Sequence, residues 1–289
     1  MDWSKAKTIL LIALVIVNML LGSIYLLEKK EEKSHEFSED ELINKLSQKD
    51  IKLSVDIPNG ENELKGIVVE YEFYDANDIN DRFFDENGSI KYINDDLFEV
   101  SRQRETVTVI NGKLLIYEEE KTEDETEKKV YTTMKELSNP LEKANEIAMQ
   151  FMKDRGFSTD DMKLTFSNLT EDGYYLAYSN IHDGNYIESS FTTFEIKDDI
   201  VFRMERTWLD IKEIEDVVLK TIPAKKALLE LLMKEEVYGK EITDISICYY
   251  FDPEKQDYFS KYKEIIEGRT VPAWRVQFSD GYKIILDFE

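Results

Sequence analysis

Hydrophobic positions recur along this chain with helical and strand periods, and the exception to both comes first. Thr8 to Leu27 carries no charged residue at all. A helix of that length spans about 30 Å at roughly 1.5 Å per residue, the thickness of a bilayer's hydrocarbon core. Secretory signals have a shorter apolar stretch closed by small residues, whereas this run ends Gly22-Ser23-Ile24-Tyr25-Leu26-Leu27. The pattern predicts an uncleaved single-pass anchor over 8–27, with a short tail at 1–7 and a charged linker at 28–36. Lys5 and Lys7 precede the run and Lys29, Lys30 and Lys33 follow it. That count leans by one residue toward a cytoplasmic large domain, too narrow a margin to orient the chain.

Beyond the linker, helical and strand periods alternate. Ser38 and Glu41 stand in capping-box spacing and Phe37 is placed to close over Leu42, which predicts a helix from Glu39 to about Lys49. In Ile67-Val68-Val69-Glu70-Tyr71-Glu72-Phe73, positions 67, 69, 71 and 73 form one apolar strand face. Asn111-Gly112 between Thr106–Ile110 and Lys113–Tyr117 predicts a hairpin. Residues 122–129 have no apolar content and predict a loop or hairpin tip.

The second half repeats a unit. Pro140 opens a helix with apolar or small residues at 141, 144, 147, 148, 151 and 152, stopping at Gly156. Pro223 opens another, with 224, 227, 228, 231 and 232 on one face, stopping at Gly239. Strands follow each, with turns at Asp172-Gly173 and Asp183-Gly184 and a stripe of Ile200, Phe202, Met204 and Trp208. The last hairpin turns at Asp280-Gly281, its Pro272, Trp274, Val276 and Phe278 matched by Tyr282, Ile284, Leu286 and Phe288. Pro272 cannot donate a ladder hydrogen bond and belongs at a strand start or an edge. The predicted fold class is α+β: a transmembrane helix, then two domains, 37–136 and 137–289, of helices packed on antiparallel sheets. The second domain holds two helix-plus-meander repeats.

Composition narrows the function classes. A net charge of −24 repels phosphate backbones and argues against nucleic acid as a partner. A single cysteine, Cys248, excludes an intramolecular disulfide, and its setting in Ile247-Cys248-Tyr249 predicts a strand core residue. The two histidines, His35 and His182, stand in no metal-ligand spacing, and no hydrolase, zinc-protease or P-loop motif occurs. Asp75-Ala76-Asn77-Asp78-Ile79-Asn80 fails the EF-hand template, lacking its glycine. With 61 acids some carboxylates will face each other by abundance alone, so such a pair is uninformative. Arg203, Arg206, Arg269 and Arg275 could bind an anion, but salt-bridge partners in so acidic a chain are the expectation. No catalytic, cofactor-binding or metal-binding residue is predicted. The positive signal is Asn18, a carboxamide in hydrocarbon that needs a partner, with Gly22 one turn on allowing close approach. Leu11 and Tyr25, each seven positions from Asn18, complete a candidate partner-binding face.

The start MDWSKAKTILLIALVIVNMLLG, the ending VPAWRVQFSDGYKIILDFE and helices at Leu141 and Ala224 between them resemble the YycI (WalI) family of Gram-positive bacteria. The ending is the less specific part, since aromatic-Asp-Gly endings recur in PepSY-like domains. The resemblance implies a membrane-anchored, non-enzymatic accessory protein of the WalK–WalR (YycG–YycF) two-component system, which governs cell-wall metabolism. It implies a cytoplasmic amino terminus, extracytoplasmic α+β domains related in fold to YycH, and contact with the sensor histidine kinase, alongside a YycH-like protein, partly through transmembrane helices. The alternatives are an envelope module that binds ligand or processes wall polymers, and a PepSY-like protease inhibitor.

Overall fold

The structure is a computed structural model that describes residues 7, 14, 15, 17–19, 22, 38–60, 63–120, 139–170, 173–197, 199–253 and 265–287. Most of the apolar run, the linker, Phe37, the 122–129 segment, Asp172 and Phe288 lie outside these residues. Among them, no helix is long and apolar enough to cross a membrane.

Local signals place the first elements. Ser38 accepts the Glu41 N–H at 3.2 Å and caps α1 (Glu39–Ser47), which buries Leu42 and Leu46. β1 (Lys52–Leu53) and β2 (Glu63–Tyr71) follow. The expected face 67, 69, 71 is buried, but the strand ends at Tyr71 and Phe73 is 47% exposed. The chain turns there because Asp75 caps α2 (Ala76–Phe84), accepting the Asn77 and Asp78 N–H groups at 2.9 and 3.0 Å. Four antiparallel strands come next: β3 (Ser89–Asn94), β4 (Leu97–Arg102), β5 (Glu105–Ile110) and β6 (Leu114–Glu119). Asn111 and Gly112, at φ 54° and 68°, make the predicted β5–β6 turn.

α3 (Pro140–Asp154) starts and stops as its proline and glycine predict. Gly156 adopts φ 71°, and the Phe157 N–H reaches back to the Met152 carbonyl at 3.0 Å, closing the helix. The meander β7 (Met162–Leu169), β8 (Tyr174–His182), β9 (Asn185–Lys197), β10 (Ile200–Thr207) follows. The predicted stripe on β10 is altered by a bulge at Val201/Arg203. Val201 and Met204 face the core, while Ile200 is 46% exposed and Trp208 lies beyond the strand. The chain then crosses to a second sheet as β11 (Leu209–Lys220).

The helix expected over 224–239 is a single α turn, α4 (Ala224–Ala227), followed by 3-10 segments Leu228–Met233 and Glu235–Val237. A 3-10 helix stacks residues three apart, which keeps Leu228 and Leu231 together at full burial and leaves Met233 86% exposed. The chain closes with β12 (Glu241–Tyr250), β13 (Glu267–Arg269), β14 (Val271–Phe278) and β15 (Lys283–Leu286). Pro272 stands second in β14, the strand start its missing N–H requires.

The strands join into one twelve-stranded sheet, ordered β15-β14-β12-β9-β10-β6-β5-β4-β3, with β1 on β12 and β7-β8 on β9. A three-stranded sheet, β11-β2-β13, is separate. The fold is therefore α+β and mostly strand. Three cores result. One packs α2 and α3 against β4–β6 and β8–β10. A second joins α1 to the 3-10 segments, β12, β14 and β15, so it draws from both sides of the expected 136/137 boundary. A third lies between the small sheet, β9 and β12.

Candidate functional site

The first and third cores both draw on β9, which is broken between their residues. The β8–β9 register jumps between Ser179, opposite Phe191, and Asn180, opposite Ile187, so Glu188, Ser189 and Ser190 leave the ladder. Ser189 takes φ 74°, a left-handed conformation that costs a non-glycine residue on the order of 1–3 kcal/mol. Each of the three then bonds to a different element. Ser190 Oγ accepts the Leu209 N–H at 3.1 Å, Ser189 Oγ donates to the Phe251 carbonyl at 2.9 Å, and Glu188 faces β14 and β15.

Glu188 meets a buried arginine there. Arg275 is wholly buried and donates from Nε to Glu188 Oε1 at 2.7 Å and from Nη1 to Asp244 Oδ2 at 2.6 Å. Its Nη2 donates to Gln277 Oε1, and its plane covers the Tyr186 ring. Lys283 supports the other Glu188 oxygen at 3.0 Å and reaches Ser179 Oγ at 3.3 Å. Gln277 in turn donates to the Thr165 carbonyl at 2.7 Å, fastening β7 over the outer face of β14.

A second buried arginine fills the other side of the junction. Arg206 donates twice to Glu72 Oε2, at 3.1 and 2.8 Å, and to Thr192 Oγ1 at 2.9 Å. It also lies 4.1 Å over the Trp208 ring. Tyr74 shares Glu72, and burial pushes its phenol far up from the usual value. Trp208 Nε1 donates to Asp161 Oδ2 at 3.1 Å, leaving the buried Asp161 Oδ1 without a partner among the described residues. Partial desolvation, then the nearby Glu72 and Asp161 charges, raise the Asp210 carboxyl.

All four arginines singled out in the sequence form ion pairs, Arg203 with Glu118 and Glu205 and Arg269 with Glu215. Sequence reasoning missed that Arg206 and Arg275 are buried. The available signal was Arg275 inside VPAWRVQF, a charge in the middle of a strand that is apolar but for Gln277. Cys248 is fully buried, as predicted, and burial pushes its thiol well up. His182 sits by the Asp183-Gly184 turn, its Nε2 3.6 Å from Asp183; His35 lies outside the described residues. Among the described residues, no three His, Cys, Asp or Glu side chains are grouped to hold a metal ion.

Of the predicted partner-binding face, Asn18 and Gly22 are described, and both are helical and exposed. No described atom comes within 4 Å of where a Cβ on Gly22 would stand. Leu11 and Tyr25 lie outside the described residues. Clefts lined by described residues include three. One of about 780 Å³ runs between α3 and β5–β6 beside Arg155 and Tyr117. One of about 710 Å³ lies between α1 and β1. A smaller one of about 320 Å³ is lined by Tyr92, Phe98, Asp75, Asp95 and Asp96.

No protein-family model matches the sequence, and no curated protein matches it significantly. Solved structures do share its architecture. YycH from Bacillus subtilis aligns over 80% of this chain at TM-score 0.53 and 11% identity. The aligned region is 53% of that YycH chain, so this chain spans about half its length. An uncharacterized protein from Eubacterium rectale aligns over 86% of this chain and 94% of its own at TM-score 0.49 and 11% identity. The Bacillus megaterium YpeB C-terminal domain aligns over 88% and 99% at TM-score 0.33 and 10% identity. At these identities the likeness to YycH is one of fold.

Proposed function

We propose that this protein is a membrane-anchored, non-enzymatic regulator that works outside the cytoplasmic membrane and biases the activity of a sensor histidine kinase of the WalK (YycG) type, together with a YycH-like protein. The observation that carries the reading is a polar, small-residue helical face, Asn18 and Gly22, in an uncharged run that leads into a YycH-like fold. Such a face can hydrogen-bond and pack against another transmembrane helix at close range. Regulation then needs no chemistry of its own. If the helix and external domain bind one signalling state of the kinase better than the other, the populations shift by that difference in affinity.

The test is co-purification of the kinase from membranes with wild type, with Asn18→Leu, and with an unrelated apolar anchor in place of 8–27. Reduced recovery with both variants is expected. Undiminished kinase association and wall-gene output after the anchor swap would remove the helix from the regulatory surface, and no recovery with the native chain would reject the kinase reading. A carboxy-terminal reporter fusion checks sidedness: activity outside the membrane is expected, and activity inside would reject it. A second reading, an envelope module that binds a ligand, is favoured by the cleft where Tyr92, 69% exposed, and Phe98 stand beside three aspartates.

A further inference from the structure

Among the described residues, β1 pairs on one side only, with β12, and its other edge borders the cleft between α1 and β1. In β1 the Lys52 N–H donates to the Lys240 carbonyl at 3.0 Å and the Ser54 N–H to the Ile242 carbonyl at 3.1 Å. Peptide groups of alternate residues in a strand point to opposite sides. The bonds of 52 and 54 to β12 therefore direct the N–H and C=O of Leu53 away from β12, and Val55 follows at a bend just past β1. Ser54 Oγ adds a bond to the Ile242 carbonyl at 2.7 Å, which holds the edge flat against the sheet.

The walls suit one kind of occupant. α1 presents Ile43, 38% exposed, above half-buried Leu53 and Val55, so an added strand would find apolar surface on its α1-facing side. The rim is acidic. Glu39, Asp50, Asp56 and Glu241 line it, against one lysine in the lining, Lys52. Glu39 is paired with Lys225 at 3.2 Å, so three of the acids set the field.

We infer that this cleft is a strand-addition site, which takes an extended segment of a partner protein with apolar residues at alternate positions and basic residues at its ends. Main-chain pairing to Leu53 supplies affinity, the Ile43 side selects apolar side chains, and the acidic rim selects the flanking charge. An added strand would lie about 4.8 Å from β1, the ordinary interstrand spacing. The inference does not depend on the kinase reading, since it rests on the open edge, the apolar wall and the charge of the rim.

The experiment uses the full chain in detergent micelles and the peptide acetyl-Lys-Val-Thr-Val-Thr-Val-Thr-Lys-amide, read by fluorescence anisotropy and site-resolved amide hydrogen exchange. Saturable binding is expected, with exchange at Leu53 slowed at least tenfold. N-methylating the peptide's pairing-side amides, or replacing its terminal lysines with glutamates, should each weaken binding at least tenfold. Leu53→Pro, which removes the edge N–H, should do the same. If that variant fails to fold, the N-methylated peptide decides alone, because it leaves the protein untouched. Absence of saturable binding overturns the inference. So does unchanged exchange at Leu53, or equal binding of the N-methylated or glutamate-ended peptide.

Discussion

Replacing Arg275 by methionine should destabilise the fold by about 3–5 kcal/mol, the usual loss when one partner of a buried ion pair is removed. The geometry explains the size. Arg275 has no solvent exposure, and its partner Glu188 side chain is 6% exposed. A unit charge pair about 4 Å apart attracts by about 4 kcal/mol at an effective dielectric of about 20. Desolvation of the two ions costs several kcal/mol each, more than that attraction alone, and the bonds to Asp244, Gln277 and Lys283 offset the rest. Methionine removes the attraction but not the desolvation of Glu188, which keeps only Lys283 at 3.0 Å. Gln277 loses its guanidinium donor at the same time.

The balance makes a second forecast. Glu188→Leu alone should cost a similar amount, because it strands Arg275, leaving Asp244, itself 42% exposed, as the nearest countercharge. The double variant Arg275→Met with Glu188→Leu should recover much of the loss, giving a coupling energy of about 2 kcal/mol or more. Urea unfolding of the four proteins, followed by fluorescence of the buried Trp208 and Trp274, measures the cycle. A single-variant cost below about 1 kcal/mol, or strict additivity within about 0.5 kcal/mol, would refute the reasoning.

Three other expectations follow from the same structure. Gly88→Ala should destabilise by about 1–3 kcal/mol in thermal unfolding, since its Cβ would stand 2.5 Å from Asn80 Oδ1, which accepts the Gly88 N–H, and 2.8 Å from Val100. For Asp210, whose folded carboxyl is raised, stability is unaffected at low pH and is lost as pH climbs from the unfolded value near 3.8 through the folded one. Asp210→Asn should therefore stabilise at pH 7, by less than about 1 kcal/mol given the residue's exposure, and the gain should vanish below about pH 3; a gain that persists there counts against the account. Cys248, fully buried, should resist maleimide in the native protein and react only as urea unfolds it; native-state labelling would contradict its placement.

What the sequence disclosed about this fold is what short-range physics controls. α1 was legible because the Ser38 hydroxyl satisfies the Glu41 N–H in its first turn, and α3 because Pro140 and Gly156 mark its ends. The β5–β6 turn was legible because Asn111 and Gly112 tolerate positive φ. α2 was missed although Asp75 at its cap and Ala76, Ile79, Asn80 and Phe83 at helical spacing were equally local. The 224–239 segment went the other way. Its leucines favour α-helix, yet Trp274, whose Nε1 bonds to the Ile222 carbonyl at 2.8 Å, and the α1 side chains beneath admit only one α turn and a tighter 3-10 path.

The junction around β9 was out of reach for a different reason. Glu188 and Arg275 are 87 residues apart, and Glu72 and Arg206 are 134 apart. The alternation of β9 does lapse at Tyr186-Ile187-Glu188-Ser189-Ser190, where the register jumps, but that lapse does not say which distant groups receive the freed side chains. The jump depends on acceptors and donors from β11, β12 and β14 arriving together, and those bonds are what hold Ser189 in a conformation that serine alone disfavours. That junction bonds the broken stretch of β9 to the Leu209 amide, the Phe251 carbonyl, Arg275 and Lys283 at once.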